Sequence, residues 1–211
     1  MDGPTYHDKG AVAETFGCFH VTRQLPYSPQ GRLDVGQTLE VGNSHNPFFQ
    51  FYENARTYPV TLATGQVIKV PAIKFLASVQ SGEVTPNNLP AAALEVAKHY
   101  LMLARELIFE EVRLVSANAS SLSSRKSCLW ASDTLDRAQR WAVQLGGQCQ
   151  ILRLSVSGLR HVADSNLLLG DSEPLSETYQ KAALYWQGGH SDNPELETLI
   201  SGEVTVLEAA L

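Results

Sequence analysis

The sequence predicts an α+β fold, and three observations carry that prediction. Runs of alternating aromatic and β-branched residues stand near both ends, helical patterns fill the middle, and no repeat or composition shift divides the chain. At 211 residues it is about one and a half times a typical domain, so one domain over residues 1–211 is expected.

The first strand is expected at Phe16 to Arg23, closed by turn-forming residues from Pro26 to Gly31. Asn46-Pro47 has the form of a helix start, with Asn as cap and Pro in the first turn. Val60 to Thr64 and Gln66 to Val70 flank Gly65 as a hairpin. Pro71 opens a short helix that Gly82 ends. Pro90 begins the longest helix, which runs to about Val112 with Leu94, Ala97, Leu101, Ala104 and Ile108 predicted to face the core. The serine-rich run Ser116 to Ser127 reads as a surface loop. Ser127 to Ala131 then reads as a strand, and Asp133 with Asp136 opens a helix ending near Gly146-Gly147. Gln150 to Ser157 is a strand, and Ser176 caps a helix through Trp186. The chain closes with Glu197 to Ile200, a turn at Ser201-Gly202, and Val204 to Leu207.

Composition removes several function classes. Sixteen Lys and Arg against twenty-two Asp and Glu give a net charge of −6, which disfavours broad phosphate-driven nucleic acid binding but leaves room for a local basic groove. Three cysteines without a Cys-x-x-Cys pair, and six histidines without ligand spacing, indicate neither a disulfide framework nor a metal site. The phosphate-cradling glycine loops, the serine nucleophile elbow and the His-Glu-x-x-His zinc motif are all missing. No run of eighteen apolar residues is present, and Met1 to Gly10 is polar, so neither a membrane span nor a signal peptide is expected.

Three short segments remain. The first is Cys18-Phe19-His20-Val21-Thr22-Arg23, followed by Gly31 to Leu39. The second is Ser124-Arg125-Lys126-Ser127-Cys128-Leu129-Trp130-Ala131-Ser132-Asp133, leading into Leu135, Ala138 and Trp141. The third is Tyr185-Trp186-Gln187-Gly188, then Pro194-Glu195-Leu196-Glu197-Thr198-Leu199-Ile200-Ser201-Gly202-Glu203-Val204. Taken singly, His20 and Trp130 read as core residues, Glu197 as a solvent-facing strand residue, and Arg125-Lys126 as a solvated pair.

Taken together and in this order, the segments resemble the ADP-ribosyltransferase superfamily of the His–aromatic–Glu type. The resemblance is to the catalytic domains of poly-ADP-ribose polymerases and to bacterial DNA-targeting ADP-ribosyltransferase toxins. Phe109 to Arg113 and the Ser-Ser-Arg loop also resemble uncharacterised bacterial proteins grouped with that clan. The resemblance implies a split β-sheet core with a helical insert at about residues 71–113, and NAD bound as substrate without a metal. It assigns His20, Val21 and Thr22 to the ribose and nicotinamide amide. Trp130 would stack on the nicotinamide, with Leu129 the alternative at that position. Ser132 sits at the strand–helix junction, and Arg23 and Arg125 form a basic rim for the pyrophosphate. Glu197, in better register than Glu195, takes the catalytic position. Val21 stands where the polymerases commonly have Gly, and Trp130 where Tyr is commoner.

The resemblance therefore implies mono-ADP-ribosyl transfer to a macromolecular acceptor, protein or nucleic acid, with nicotinamide released. The loop Gln187 to Pro194 is its candidate acceptor-facing segment. Two alternatives stay open: NAD glycohydrolysis, and an inactive module that binds NAD or a partner. A toxin or effector role would bring an immunity or antitoxin partner, and would place the protein in the cytoplasm or in a target cell to which it is delivered.

Overall fold

The computed structural model describes residues 14–23, 33–168, 170–171 and 173–210. The expected turn at 26–31 lies outside the described residues. Seven strands and five α-helices follow one another among those described, in an α+β arrangement. They are β1 (Glu14–Arg23), β2 (Thr38–Val41), α1 (Pro47–Glu53), β3 (Thr57–Thr61), β4 (Val67–Pro71), α2 (Ala72–Gln80) and α3 (Leu89–Val115). Then come β5 (Leu129–Ala131), α4 (Leu135–Leu145), β6 (Cys149–Asp164), α5 (Leu175–Trp186) and β7 (Leu196–Ala209).

The main sheet is antiparallel, in the order β1-β6-β7-β2, and β5 pairs with β7 on the same side as β2. Phe19 of β1 and Ser132, just past β5, exchange backbone hydrogen bonds at 2.8 Å in both directions. That bridge curls the sheet until its two flanks meet. One core fills the first face of the sheet, with Cys18, Leu129, Ala131, Leu152, Leu154, Val156 and Ile200. A second core lies between the other face and helices α3 and α5, with Phe109, Ala163, Ala182, Tyr185, Trp186 and Leu199. The hairpin β3–β4, α2 and the start of α3 share a third, smaller cluster around Val70, Phe75 and Ala92.

Several sequence expectations change here. The strand expected at Gln150 to Ser157 continues to Asp164, because β7 runs alongside it over that length. No turn forms at Ser201-Gly202, and β7 passes straight through. Gly202 there has φ +117°, and its partner Gly158 lies so close that a Cβ on Gly158 would stand 1.9 Å from the Ser201 carbonyl oxygen. Glycine was needed for close approach of two backbones, not for reversal. Thr134 rather than Asp133 caps α4, accepting from the Arg137 amide, while Asp133 accepts from the Thr198 hydroxyl at 3.0 Å. Pro174, not Ser176, stands at the start of α5.

The long helix also presents a different face from the one expected. Ala92, Val96, His99, Glu106 and Phe109 are buried, whereas of the expected residues Leu94, Ala97 and Ala104 are exposed, Leu101 is half-buried and only Ile108 packs against the second core. The stripe that turns inward carries a carboxylate, and its partner accounts for the choice.

Candidate functional site

The partner is Arg125, in the loop after α3. This loop was expected on the surface, yet Arg125 is only 3% exposed. Asn46 fixes it: its amide donates to the Arg125 and Cys128 carbonyls at 2.7 and 3.1 Å, while its Oδ1 caps α1 through the Phe49 amide. Burying a polar asparagine with both donors and its oxygen engaged makes the loop part of the core rather than a surface excursion. Leu122 and Ser123, in the same serine-rich run, are buried as well.

The Arg125 guanidinium then joins three elements. Its Nε donates to Glu106 at 2.9 Å and its Nη2 to the same carboxylate at 3.3 Å. Its Nη1 donates to the Tyr185 hydroxyl at 2.6 Å and to Glu197 Oε1 at 2.5 Å. The Tyr185 hydroxyl donates in turn to the same Glu197 oxygen at 2.7 Å. Arg105 adds a second positive charge to Glu106 at 3.2 Å and donates to the Leu168 carbonyl at 2.8 Å. Burial alone would raise the Glu106 carboxyl out of its ordinary range. The charges and hydrogen bonds of Arg125 and Arg105 outweigh it and hold the group below that range. Burial works against the charge on Arg125, but Glu106, Tyr185 and Glu197 together keep it firmly protonated. Burial also pushes the Tyr185 hydroxyl well above its usual range, so it remains a donor. Arg125, expected on a pyrophosphate rim, here directs its donors to the buried Glu106 and Glu197 carboxylates and the Tyr185 hydroxyl.

Glu197 lies on β7 opposite Ala163, buried and directed to the helix-covered side with Leu199, two residues on. Its Oε2 receives no hydrogen bond among the described residues, and the side chain keeps 8% of its surface. Glu195 precedes the strand, and its amide is taken by Asp164 at 2.9 Å. Asp164 also accepts from the amides of Asn166 and Ser191 at 3.0 and 2.7 Å, so one carboxylate anchors the loop that leads to Glu197.

Trp130 stands opposite Leu199 and packs against the second core, whereas its neighbour Leu129 is buried in the first. Of the two alternatives at this position, the aromatic ring is therefore the one on the Glu197 side of the sheet. The Arg125 guanidinium carbon is 5.7 Å from the Trp130 ring centre, and Phe48 meets the ring edge-on at 5.5 Å. His20 follows Cys18 on the first face, opposite Leu152. Its Nδ1–H donates to the Trp130 carbonyl at 2.8 Å, since a carbonyl can only accept. This leaves Nε2 as an acceptor. Burial keeps the ring neutral by lowering its pKa, against the opposing pull of that carbonyl.

The remaining expected residues are placed less centrally. Val21 pairs with Ile151 within the β1–β6 ladder, Thr22 is buried opposite Gln150, and Arg23 is exposed at the end of β1 opposite Cys149. Ser132 is buried and joins β1 through its backbone. The structure thus gathers His20, Ser132 and Trp130 at one seam, and Trp130, Arg125 and Glu197 at the next, with Trp130 common to both. Glu106 was not singled out from the sequence, and Tyr185 stood in the third segment with no role assigned to it. The signal for Glu106 is a carboxylate on the same helical stripe as Val96 and Phe109, which demands a buried counter-charge.

Cys18 and Cys128 are held as protonated thiols: burial, with Asp133 nearby, pushes Cys18 up to about 12, and burial carries Cys128 well above its ordinary range. Among the described residues no group of three or more His, Cys, Asp or Glu could hold a metal ion, and no helix is long and apolar enough to cross a membrane. Two adjoining surface concavities, of about 220 and 340 Å³, lie along the loop 42–46 and Ser127 and contain none of the expected site residues.

No curated protein matches the sequence. A family model described as a protein of unknown function, DUF2441, matches residues 18–210, which begin in β1 and end just beyond β7. The chain, whose three motif segments all fall within that match, belongs to the DUF2441 family.

Proposed function

We propose that the protein cleaves the glycosidic bond of NAD and transfers ADP-ribose to a macromolecular acceptor. One observation carries this reading. Three segments far apart in sequence, which resemble the transferase motifs in order, lie strand to strand: Phe19 against Ser132, and Trp130 against Leu199 beside Glu197. The donor set suits the substrate. Among the described residues no partner takes His20 Nε2 or Glu197 Oε2, which suit a ribose hydroxyl and a developing positive charge, and the half-buried Trp130 ring offers an aromatic surface to nicotinamide.

In this reading the bond between ribose C1′ and the nicotinamide nitrogen breaks, and its electron pair leaves with neutral nicotinamide. Positive charge builds on the ribose, and a fixed carboxylate opposes it without reorganising. An acceptor oxygen or nitrogen then bonds to C1′ and loses its proton. Arg125 serves this site from beneath, through Glu197, rather than from a pyrophosphate rim.

The test is nicotinamide release from NAD by the purified chain, with and without lysate, beside Glu197→Gln. Wild type should release nicotinamide and label a macromolecule, and Glu197→Gln should lose roughly 10²–10⁴-fold in rate. Free ADP-ribose alone would turn the reading to hydrolysis. No release with any acceptor overturns it.

A further inference from the structure

We infer that Tyr185, Arg125 and Glu106 are the positioning residues of Glu197, saturating its Oε1 so that Oε2 is presented to the ribose. The inference rests on the function proposed above and extends it to groups that never touch substrate.

Two donors converge on a single oxygen. Arg125 Nη1 reaches Glu197 Oε1 at 2.5 Å and the Tyr185 hydroxyl reaches it at 2.7 Å, while Oε2 takes no bond among the described residues. A carboxylate held at one oxygen from two directions cannot rotate to exchange its oxygens without breaking both bonds. The donors are themselves fixed. Arg125 is forked onto Glu106, and Tyr185 is wedged among Phe109, His161 and Trp186 at ring separations of 5.0–5.7 Å.

The charge count explains the second arginine. Arg125 alone faces two carboxylates, which would leave one negative charge uncompensated in a buried site. Arg105, at 3.2 Å from Glu106, makes the count two against two. For stability alone a well-packed apolar set would serve as well, since buried ion pairs contribute little net stability over such a replacement. What the cluster adds is direction, and direction matters for a group that must oppose a charge formed only in the transition state.

The test uses the full chain and measures nicotinamide release and NAD affinity in Tyr185→Phe, Glu106→Gln, Glu197→Gln and the double variant Tyr185→Phe with Glu197→Gln. Tyr185→Phe removes one hydroxyl and should stay folded by circular dichroism. It should lower kcat by about 10- to 100-fold while KM and the NAD Kd change less than about 3-fold. In the Glu197→Gln background the same change should have almost no further effect, which a general loss of packing would not produce. Glu106→Gln should lower kcat in the same way. Wild-type turnover with kcat unchanged in Tyr185→Phe, or with equal losses in both backgrounds, overturns the inference while leaving the function intact. Wild type without nicotinamide release overturns the proposed function, and the positioning role with it.

Discussion

Arg125 and Arg153 each pair with a glutamate of the last strand, Arg125 from a loop and Arg153 from the neighbouring strand, but in opposite surroundings. Arg125 meets Glu197 and Glu106 with side chains 8% exposed or less, and each carboxylate takes a second donor, Tyr185 on Glu197 and Arg105 on Glu106. Arg153 meets Glu208 at 3.2 Å with both side chains more than half exposed, as do Arg140 and Asp136 on α4 at 2.5 Å. In water each exposed pair replaces hydration shells of similar strength, so little is gained. In the covered cluster, removing one partner leaves buried charges in unequal number, two carboxylates against one guanidinium if Arg125 goes. Distances alone, nearly equal in the two places, do not show this difference; burial does.

The largest expected effect follows from breaking the covered side. Arg125→Met should cost about 3–5 kcal/mol by urea denaturation, because it leaves Glu106 and Glu197 buried with Arg105 as their remaining cation. A loss under about 1 kcal/mol would mean that water enters the cluster freely. Asn46→Ala comes next. It removes the α1 cap and the donor to two buried carbonyls, and should cost about 2–3 kcal/mol by the same measurement. Little change there would separate the loop from the core.

Acid sharpens the comparison in two steps. His20 and His161 have folded-state values depressed mainly by burial, so the unfolded chain binds protons first and stability starts to fall below about pH 6.5. Glu106 and Asp164 are also depressed, against the effect of burial: Glu106 by its arginines, Asp164 by the Ser191, Asn166 and Glu195 groups that donate to it. Their contribution is complete above about pH 4.3 and is lost as pH falls through the folded values. A thermal melt series from pH 8 to 3 should show both declines, and raised salt should alter the second only slightly because the pairs are covered. A flat profile down to pH 4 would contradict the histidine assignment. The smallest effect belongs to the open surface: Arg153→Ala should stay within about 0.5 kcal/mol of wild type. A loss of 2 kcal/mol would show that exposure is not what separates the two regions.

Much of the local structure was legible in the sequence. Asn46-Pro47 starts a helix as expected, because a side-chain acceptor followed by a residue without an amide hydrogen suits a helix N-terminus. The hairpin around Gly65 forms, shifted outward to Thr57–Thr61 and Val67–Pro71. The long helix runs a few residues beyond its expected end, from Leu89 to Val115. Its buried face was not legible, since hydrophobic periodicity cannot anticipate that Glu106 goes inside to meet an arginine nineteen residues later. Gly202 was misread for a related reason: a glycine that reverses a chain and one that admits a second backbone look alike until the partner strand is known.

For the site, the sequence by itself determined which residue types were available and in what order: an imidazole on an early strand, an aromatic on a middle strand, a carboxylate on the last. Strand alternation and chain order are local properties, so they survive being read in one dimension. It took the folded chain to bring the His20 ring to the Trp130 carbonyl, to turn Arg125 inward, and to join Tyr185 and Glu106 to it. Those outcomes depend on pairing between strands and on which charges lose water together. Both are set by long-range packing, which no local pattern encodes.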